Sequence, residues 1–358
     1  MPVDLGTVRA HLRGRRWYGG EPVQSVLDLG DLGPVRHVLG LVDGAAYQCF
    51  IDEDGQDAVD HPAVIARMTG ETDPPEARSL AVEQSNTSLV LTDGRLAKVF
   101  RRLHPGPNPD VEVPASLGAR DFAGVVAPVA TWTQEGWDLG VVVPFLSGAA
   151  DGWDVALATA DPAALAFELG GVIADLHAAL AEAFGAAPAD PATYVHVYEA
   201  AVEGAQGVVD PVERGRLRFM QEPGAAIRVH GDLHLGQLLR HEGRWRVIDF
   251  EGEPTRSLVE RKAHASPLKD AAGMVRSFAY AAAVAGHEEG WDHRAADAFL
   301  TAYLTSPAVA HLLPSEPGPV LDAYILEKAV YELAYERGHR PDWAWIPETA
   351  IARLVVSS

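Results

Sequence analysis

The feature that most constrains this chain is a change of period near Pro144. Before it, apolar residues alternate in short runs broken by turn residues; after it, they recur every three and four positions. Residues 35–41 and 46–51 read as strands around Val42-Asp43-Gly44, and Asp52-Glu53-Asp54-Gly55 supplies a further turn. A polar stretch with prolines, residues 70–75, precedes a second strand pair across residues 88–100, turning at Thr92-Asp93-Gly94. Residues 124–133 and 137–143 form a third pair, joined by Gln134-Glu135-Gly136. Beyond Pro144, Asp161 caps a helix with Pro162 in its first position, and Leu165, Leu169, Ile173, Leu176, Leu180 and Phe184 line one face until Gly185 stops it. Further helices are predicted over 195–208, 211–221, 268–285, 294–304 and 320–335, with short strands at 226–229 and 245–249. A β-rich half, an extended connector at 141–145 and a helical half predict a two-lobed α+β molecule with a cleft between the lobes.

A chain of 358 residues allows two or three such units. Hydrophobic residues at 47% and charged residues at 22% exclude a mainly disordered, collagen-like or coiled-coil chain. Lys and Arg number 29 against 50 Asp and Glu, a net charge of −21 that disfavours nucleic acid and anionic membrane as partners and suits a neutral or cationic small molecule. No charge-free run approaches the roughly 18 residues of a membrane span. The basic start has no apolar segment after it, so no secretory signal is read and a cytoplasmic location is expected. The single cysteine, Cys49, forms no intrachain disulfide and reads as a buried structural thiol.

The strongest chemical signal is VHGDLHLGQ, residues 229–237, followed by VIDFE, residues 247–251. Phosphoryl transfer from a magnesium nucleotide needs a carboxylate to receive the acceptor's proton, a neutral oxygen donor and a second carboxylate for the metal. Asp232, Gln237 and Asp249 are those types, expected on two adjacent strand ends. The plain alternative is a hairpin whose aspartates cap turns. In the β-rich half, Lys98 follows an alternating strand in a chain with only four lysines, and Glu112 lies where a helix starts. A kinase lysine on nucleotide phosphates is commonly oriented by such a carboxylate; otherwise the two are solvated surface charges. The segment EQSNTS, with Ser85, Asn86, Thr87 and Ser88, is expected above the phosphates as a polar loop without a glycine fingerprint, or as an ordinary turn.

These motifs resemble the aminoglycoside phosphotransferase and choline kinase superfamily. With KVFRRL, GPNPDVEV, DGWDVAL, SPLKDAAGMVRSFAYAA and KAVYELAYERGHRPDW, nearly the whole chain resembles actinobacterial maltokinases and the related, shorter glucosamine kinases. The resemblance implies a bilobal, protein-kinase-like α+β fold. RRWYGG implies an N-terminal cap subdomain over residues 1–80, followed by a nucleotide-binding N-lobe over 81–145 and a mainly helical C-lobe over 146–358. It implies ATP and Mg2+ as cosubstrates and a sugar or amino sugar as acceptor. Carried over, Asp232 is the catalytic base, Gln237 and Asp249 hold Mg2+, Lys98 holds the phosphates and Glu112 orients it. Gln237 stands where the superfamily more often has Asn. Ala279 and Arg337-Gly338-His339 depart from the maltokinase pattern, as does the shorter length.

Other conspicuous residues have two readings each. His230 and His234 flank the base and either meet substrate or pack the loop; with no cysteine or histidine at ligand spacing, zinc is not expected. His177 reads as a structural histidine on its helix. Tyr331 and Tyr335, with Glu332 and Glu336, form stripes on one helix ahead of Trp343, which suit either a core or a sugar pocket. His230, Glu332, Tyr335, Glu336 and Trp343 are therefore the candidate acceptor contacts. Glucosamine, forming the 6-phosphate, is preferred to maltose, forming the 1-phosphate, because carboxylates suit an ammonium. An antibiotic phosphotransferase and a nucleotide-binding pseudokinase are the remaining alternatives, and the intact Lys98, Asp232, Gln237 and Asp249 set argues against the latter.

Overall fold

The computed structural model describes residues 3–80, 86–253 and 256–356. The chain forms two compact units, divided between Gly148 and Ala149. The first unit opens with α1 (Leu5–Leu12), β1 (Ser25–Leu32), β2 (Val35–Val42), β3 (Ala45–Ile51), α2 (Pro62–Thr69) and β4 (Ala77–Ser79). It continues with β5 (Asn86–Leu91), β6 (Arg95–Phe100), β7 (Arg102–Leu103), α3 (Pro109–Gly118), β8 (Ala130–Gln134) and β9 (Trp137–Pro144). One sheet runs β1-β2-β3-β7 and the other β4-β5-β6-β9-β8, with every pairing antiparallel.

Every residue of β3 is buried, because its two faces serve different cores. Tyr47 and Cys49 pack with Val8 and Leu12 of α1, while Ala46 and Phe50 pack with Leu89, Val99 and Trp132 of the second sheet. Residues 1–80 and 81–145 thus share a core, and β7 completes the sheet of the earlier segment. Burial pushes the Cys49 thiol up to about 12, which keeps it protonated and inert. The strand expected from residue 124 starts only at Ala130, and β1 was not anticipated, since its half-exposed residues alternate weakly.

The second unit comprises β10 (Ala150–Asp151), α4 (Gly152–Ala158), α5 (Ala163–Phe184), β11 (Ala186–Pro188), α6 (Pro191–Gly204), α7 (Pro211–Arg218) and β12 (Ala225–Arg228). After these come β13 (Leu238–His241), β14 (Arg244–Val247), α8 (Leu258–Lys262), β15 (His264–Ala265), α9 (Leu268–Ala285), α10 (Trp291–Thr305), α11 (Pro317–His339) and α12 (Trp345–Val356). Asp161 accepts from the Ala163 N–H at 3.2 Å and Gly185 ends α5 at φ 83°, as the expected start and stop signals require. By length and composition α5 is apolar enough to cross a membrane. Its apolar face, from Leu165 to Leu180, is instead buried in the core of this unit, and it packs along α10.

One expectation about strand neighbours fails. The strand before the HGD motif, β12, pairs with β11 and β15, whereas β14 pairs with β13 in a different sheet. Gln237 and Asp249 are brought together by the β13–β14 hairpin, turning at Glu242 and Gly243, both of positive φ.

Candidate active site

The loop that carries Asp232 is built on α9. Asp270, in the first turn of that helix and 1% exposed, accepts from the backbone N–H of His230 at 2.7 Å and of Gly231 at 2.9 Å. His177 of α5 adds a third bond to the same carboxylate at 3.1 Å, and Tyr303 of α10 bonds the other ring nitrogen at 2.7 Å. Burial alone would raise the Asp270 carboxyl; the His177 bond and the Gly231 N–H outweigh it and hold it below the ordinary aspartate value. One turn on, a Cβ at Gly273 would meet the Leu233 carbonyl at 2.4 Å, so only glycine lets the loop lie on the helix there. Ser277, a further turn along, accepts from the Leu235 N–H at 3.0 Å. Positions 270, 273 and 277 form one helical stripe, and the loop is laid along it.

The two histidines in the motif hold the loop's own backbone. The His230 ring donates from Nε2 to the Ile248 carbonyl at 2.9 Å and is 1% exposed, which corrects its expected role as an acceptor contact. It ties the loop to the end of β14. His234 caps the short 3-10 turn Leu235–Gln237, its Nδ1 accepting from the Gly236 N–H at 3.1 Å. Burial pushes the His234 pKa below its ordinary value.

Gln237 ends that turn, and the Ile248 N–H donates to its carbonyl at 3.0 Å, so the residue after Ile248 is carried to it. The Gln237 amide and Asp249 Oδ2 lie 3.3 Å apart. Asp249 holds φ 63°, a left-handed conformation costing about 1 to 3 kcal/mol for a non-glycine residue and tolerated where function requires a side chain to be aimed. An amide and a carboxylate side by side offer hard oxygen ligands and suit Mg2+, which takes few protein ligands and completes its shell with water and phosphate. Among the described residues no group of three or more His, Cys, Asp or Glu side chains is placed to hold a metal ion.

A network unforeseen from the sequence surrounds Asp232. Lys328 of α11 donates to Asp232 Oδ1 at 2.9 Å and to Glu253 at 3.0 Å; Glu253 in turn accepts from Arg256 at 2.6 Å, and Arg256 reaches Glu327 at 3.0 Å. Burial would lower the Lys328 pKa, but Asp232 and Glu253 hold it above the ordinary lysine value. A pocket here is lined by Asp232, Glu253, Lys269, Glu327, Lys328 and Tyr331, among others. The scarcity of lysine, which singled out Lys98, pointed equally to Lys328.

The expected acceptor residues lie beside this pocket rather than in its lining. Glu332 accepts from Arg276 of α9 at 2.7 and 2.9 Å, and burial pushes its carboxyl up despite that cation. Glu336, 1% exposed, accepts from Tyr280 at 3.1 Å and from Arg340 at 2.6 and 2.9 Å. Arg340 lies over the Trp343 ring at 4.4 Å, and Tyr335 stacks on His339. The two glutamates anchor helix α11 to α9.

In the first unit, Lys98 Nζ donates to Asp110 Oδ2 at 2.7 Å, with both side chains largely buried. The sequence reading placed the orienting carboxylate at Glu112, two residues along the same helix; the ion pair is made by Asp110. Asn108 caps α3 by accepting from the Asp110 N–H at 2.8 Å, and Asp138 of β9 holds the Asn108 N–H at 2.6 Å, which fixes where the helix presents that acid. Asn86, Thr87 and Ser88 belong to β5 itself, not to a loop before it; Ser85 lies outside the described residues. Ser88 is opposite Lys98 in register and shares its face, as does Asn86. Thr87 is on the other face, where its hydroxyl accepts from the buried Arg101 at 2.8 Å; Arg101 is also paired with Asp57. That engagement removes Thr87 from the expected phosphate contacts.

Residues 76–253 match the model of the phosphotransferase enzyme family. The chain is 30% identical over 341 residues to a glucosamine kinase of Streptacidiphilus jiangxiensis, covering 82% of this chain and 76% of that protein. It is 29% identical over 322 residues to a glucosamine kinase of Mycolicibacterium smegmatis, covering 78% and 79%. Its fold is similar to that of a glucosamine kinase solved in complex with glucosamine, ADP and inorganic phosphate, with a TM-score of 0.70, 24% identity and 99% of each chain covered. With the HGD loop, the adjoining hairpin and these relatives in agreement, the chain belongs to the phosphotransferase enzyme family.

Proposed function

We propose that this protein is an ATP- and Mg2+-dependent glucosamine kinase that transfers the γ-phosphoryl group to the 6-hydroxyl of glucosamine. The observation that carries this reading is the loop laid on α9, which carries Asp232 and, five residues on, Gln237 in its pair with Asp249. Lys328 occupies Asp232 Oδ1, and among the described residues no hydrogen bond reaches Oδ2, the oxygen that accepts the acceptor hydroxyl's proton. Gln237 and Asp249 hold Mg2+, which neutralises charge on the phosphates. Lys98, fixed by Asp110, contacts the nucleotide phosphates, with Asn86 and Ser88 on its face of the sheet.

The glucosamine kinases among the relatives favour glucosamine over maltose as acceptor. Glu332 and Glu336, with Tyr335 and Trp343 beside them, are the groups proposed to read the ammonium and the sugar faces. A site built to pair an ammonium rejects N-acetylglucosamine, which would leave a carboxylate unpaired. A cytoplasmic location, where ATP is abundant, belongs to the same proposal. An ATP-consumption assay with glucosamine, glucose, N-acetylglucosamine, maltose and an aminoglycoside tests the reading. Turnover of glucosamine well above the others is expected. Turnover of maltose without glucosamine would overturn it, and turnover of the aminoglycoside alone would place the protein on the resistance branch.

A further inference from the structure

His234 has a role that neither the motif nor the family match assigns. A backbone N–H only donates, so the bond from Gly236 requires a lone pair on His234 Nδ1 and places the ring proton on Nε2. That Nε2–H faces the Gln237 Nε2 at 3.3 Å, and the same nitrogen donates to Asp249 Oδ2 at 3.3 Å. The two ends of an amide are distinguished by their partners. With its nitrogen at this position, the amide satisfies Asp249 but sets N–H against N–H at His234. With its oxygen there, it accepts from His234 but sets oxygen against oxygen at Asp249. Each orientation leaves one like-against-like contact, and a cation between the two oxygens would remove the second.

We propose that His234 is a positioning residue for the metal: through Nε2–H it turns the Gln237 amide so that the oxygen faces Asp249, and cation binding resolves the conflict that this creates. The inference rests on Gln237 and Asp249 as the Mg2+ ligands, and it is independent of which acceptor is used. It also accounts for glutamine at this place, since the side chain must span from the hairpin to both the ring and the carboxylate.

Two measurements on the full-length protein test it. Nitrogen-15 NMR of the histidine rings, assigned with a His234→Gln variant, reports the tautomer; a protonated Nε2 and bare Nδ1 are expected, and a protonated Nδ1 would overturn the proposal. Binding of Mn2+ in the presence of ADP, followed by electron paramagnetic resonance, reports the metal. His234→Phe is expected to weaken Mn2+ about 10- to 100-fold, the usual effect of removing a group that orients a ligand. His234→Gln, which can still accept from Gly236 and donate to Gln237, is expected to recover most of that loss. Unchanged Mn2+ affinity in His234→Phe, with the fold intact by circular dichroism, would overturn the proposal. If the unaltered protein binds no Mn2+ with ADP, the ligand assignment fails with it, whereas failure of glucosamine turnover alone leaves both readouts intact and bears only on the proposed acceptor.

Discussion

The loop at residues 229–237 and the helix face at residues 324–343 are both rich in functional residue types, but they are held by different forces. The loop is fixed through its backbone: Asp270, Ser277 and the contact at Gly273 grip N–H and carbonyl groups that any side-chain replacement leaves in place. The face of α11 is fixed through side chains, by ion pairs from Arg276 and Arg340 to Glu332 and Glu336 and from Lys328 to Asp232. A backbone scaffold keeps a reacting group at one position whatever binds. A side-chain scaffold can exchange a protein cation for a substrate cation, because the carboxylates keep a partner either way. The first arrangement suits chemistry and the second suits recognition.

The sharpest way to break this contrast is to alter chemistry without altering the loop. Asp232→Asn keeps the shape and is expected to lower turnover by about 100- to 10,000-fold with nucleotide affinity nearly unchanged, measured by steady-state kinetics and ADP titration. Near-normal activity would remove Asp232 from the role of base.

The scaffold itself is the next target. Asp270→Ala strips a buried carboxylate from two backbone N–H groups and His177, and should cost about 3 to 5 kcal/mol in denaturant unfolding of the second unit. Because the Asp270 carboxyl is held below the ordinary aspartate value, its contribution is present above that value and fades as pH falls through the lowered one. The variant should therefore lose part of the wild-type difference in stability between neutral and acid pH.

On the helix face the expected effects are smaller and confined to the acceptor. Glu332→Gln should raise KM for glucosamine by about 10- to 100-fold, the value of a charge-assisted hydrogen bond, while leaving ATP affinity alone. A loss in kcat with KM unchanged would instead make Glu332 part of the catalytic scaffold. The smallest effect is expected in the first unit, where Lys98→Ala and Asp110→Ala should be less than additive in nucleotide affinity, with a coupling of about 0.5 to 3 kcal/mol. The same cycle with Glu112→Ala should show weaker coupling, since Asp110 makes the short bond to Lys98.

How far the molecule was legible follows the same division. The α9 helix was read to its ends and α5 by its signals, because periodicity and caps are local properties of the chain. That Gln237 and Asp249 lie side by side was legible because a short hairpin joins them. Asp270 was hidden: an acid in the first turn of a helix ordinarily answers the helix dipole, and only its apolar neighbours Leu268, Ala271 and Ala272 hinted that it faced inward. Lys328 was noticed only as a neighbour of Glu332; its meeting with Asp232 and Glu253 was not legible, because it depends on packing elements some 75 to 96 residues apart in sequence. Asp110 and Glu112 share the first turn of α3, and the short bond to Lys98 is made by Asp110, positioned by the Asn108 cap and its bond to Asp138.

The central claim is that this loop phosphorylates glucosamine on its 6-hydroxyl, and identifying the product tests it most directly. The full-length protein, incubated with ATP, Mg2+ and glucosamine, should yield a phosphomonoester whose phosphorus-31 signal couples to the methylene protons at carbon 6. An ester at the anomeric carbon, or ADP and inorganic phosphate without any sugar ester, would contradict it.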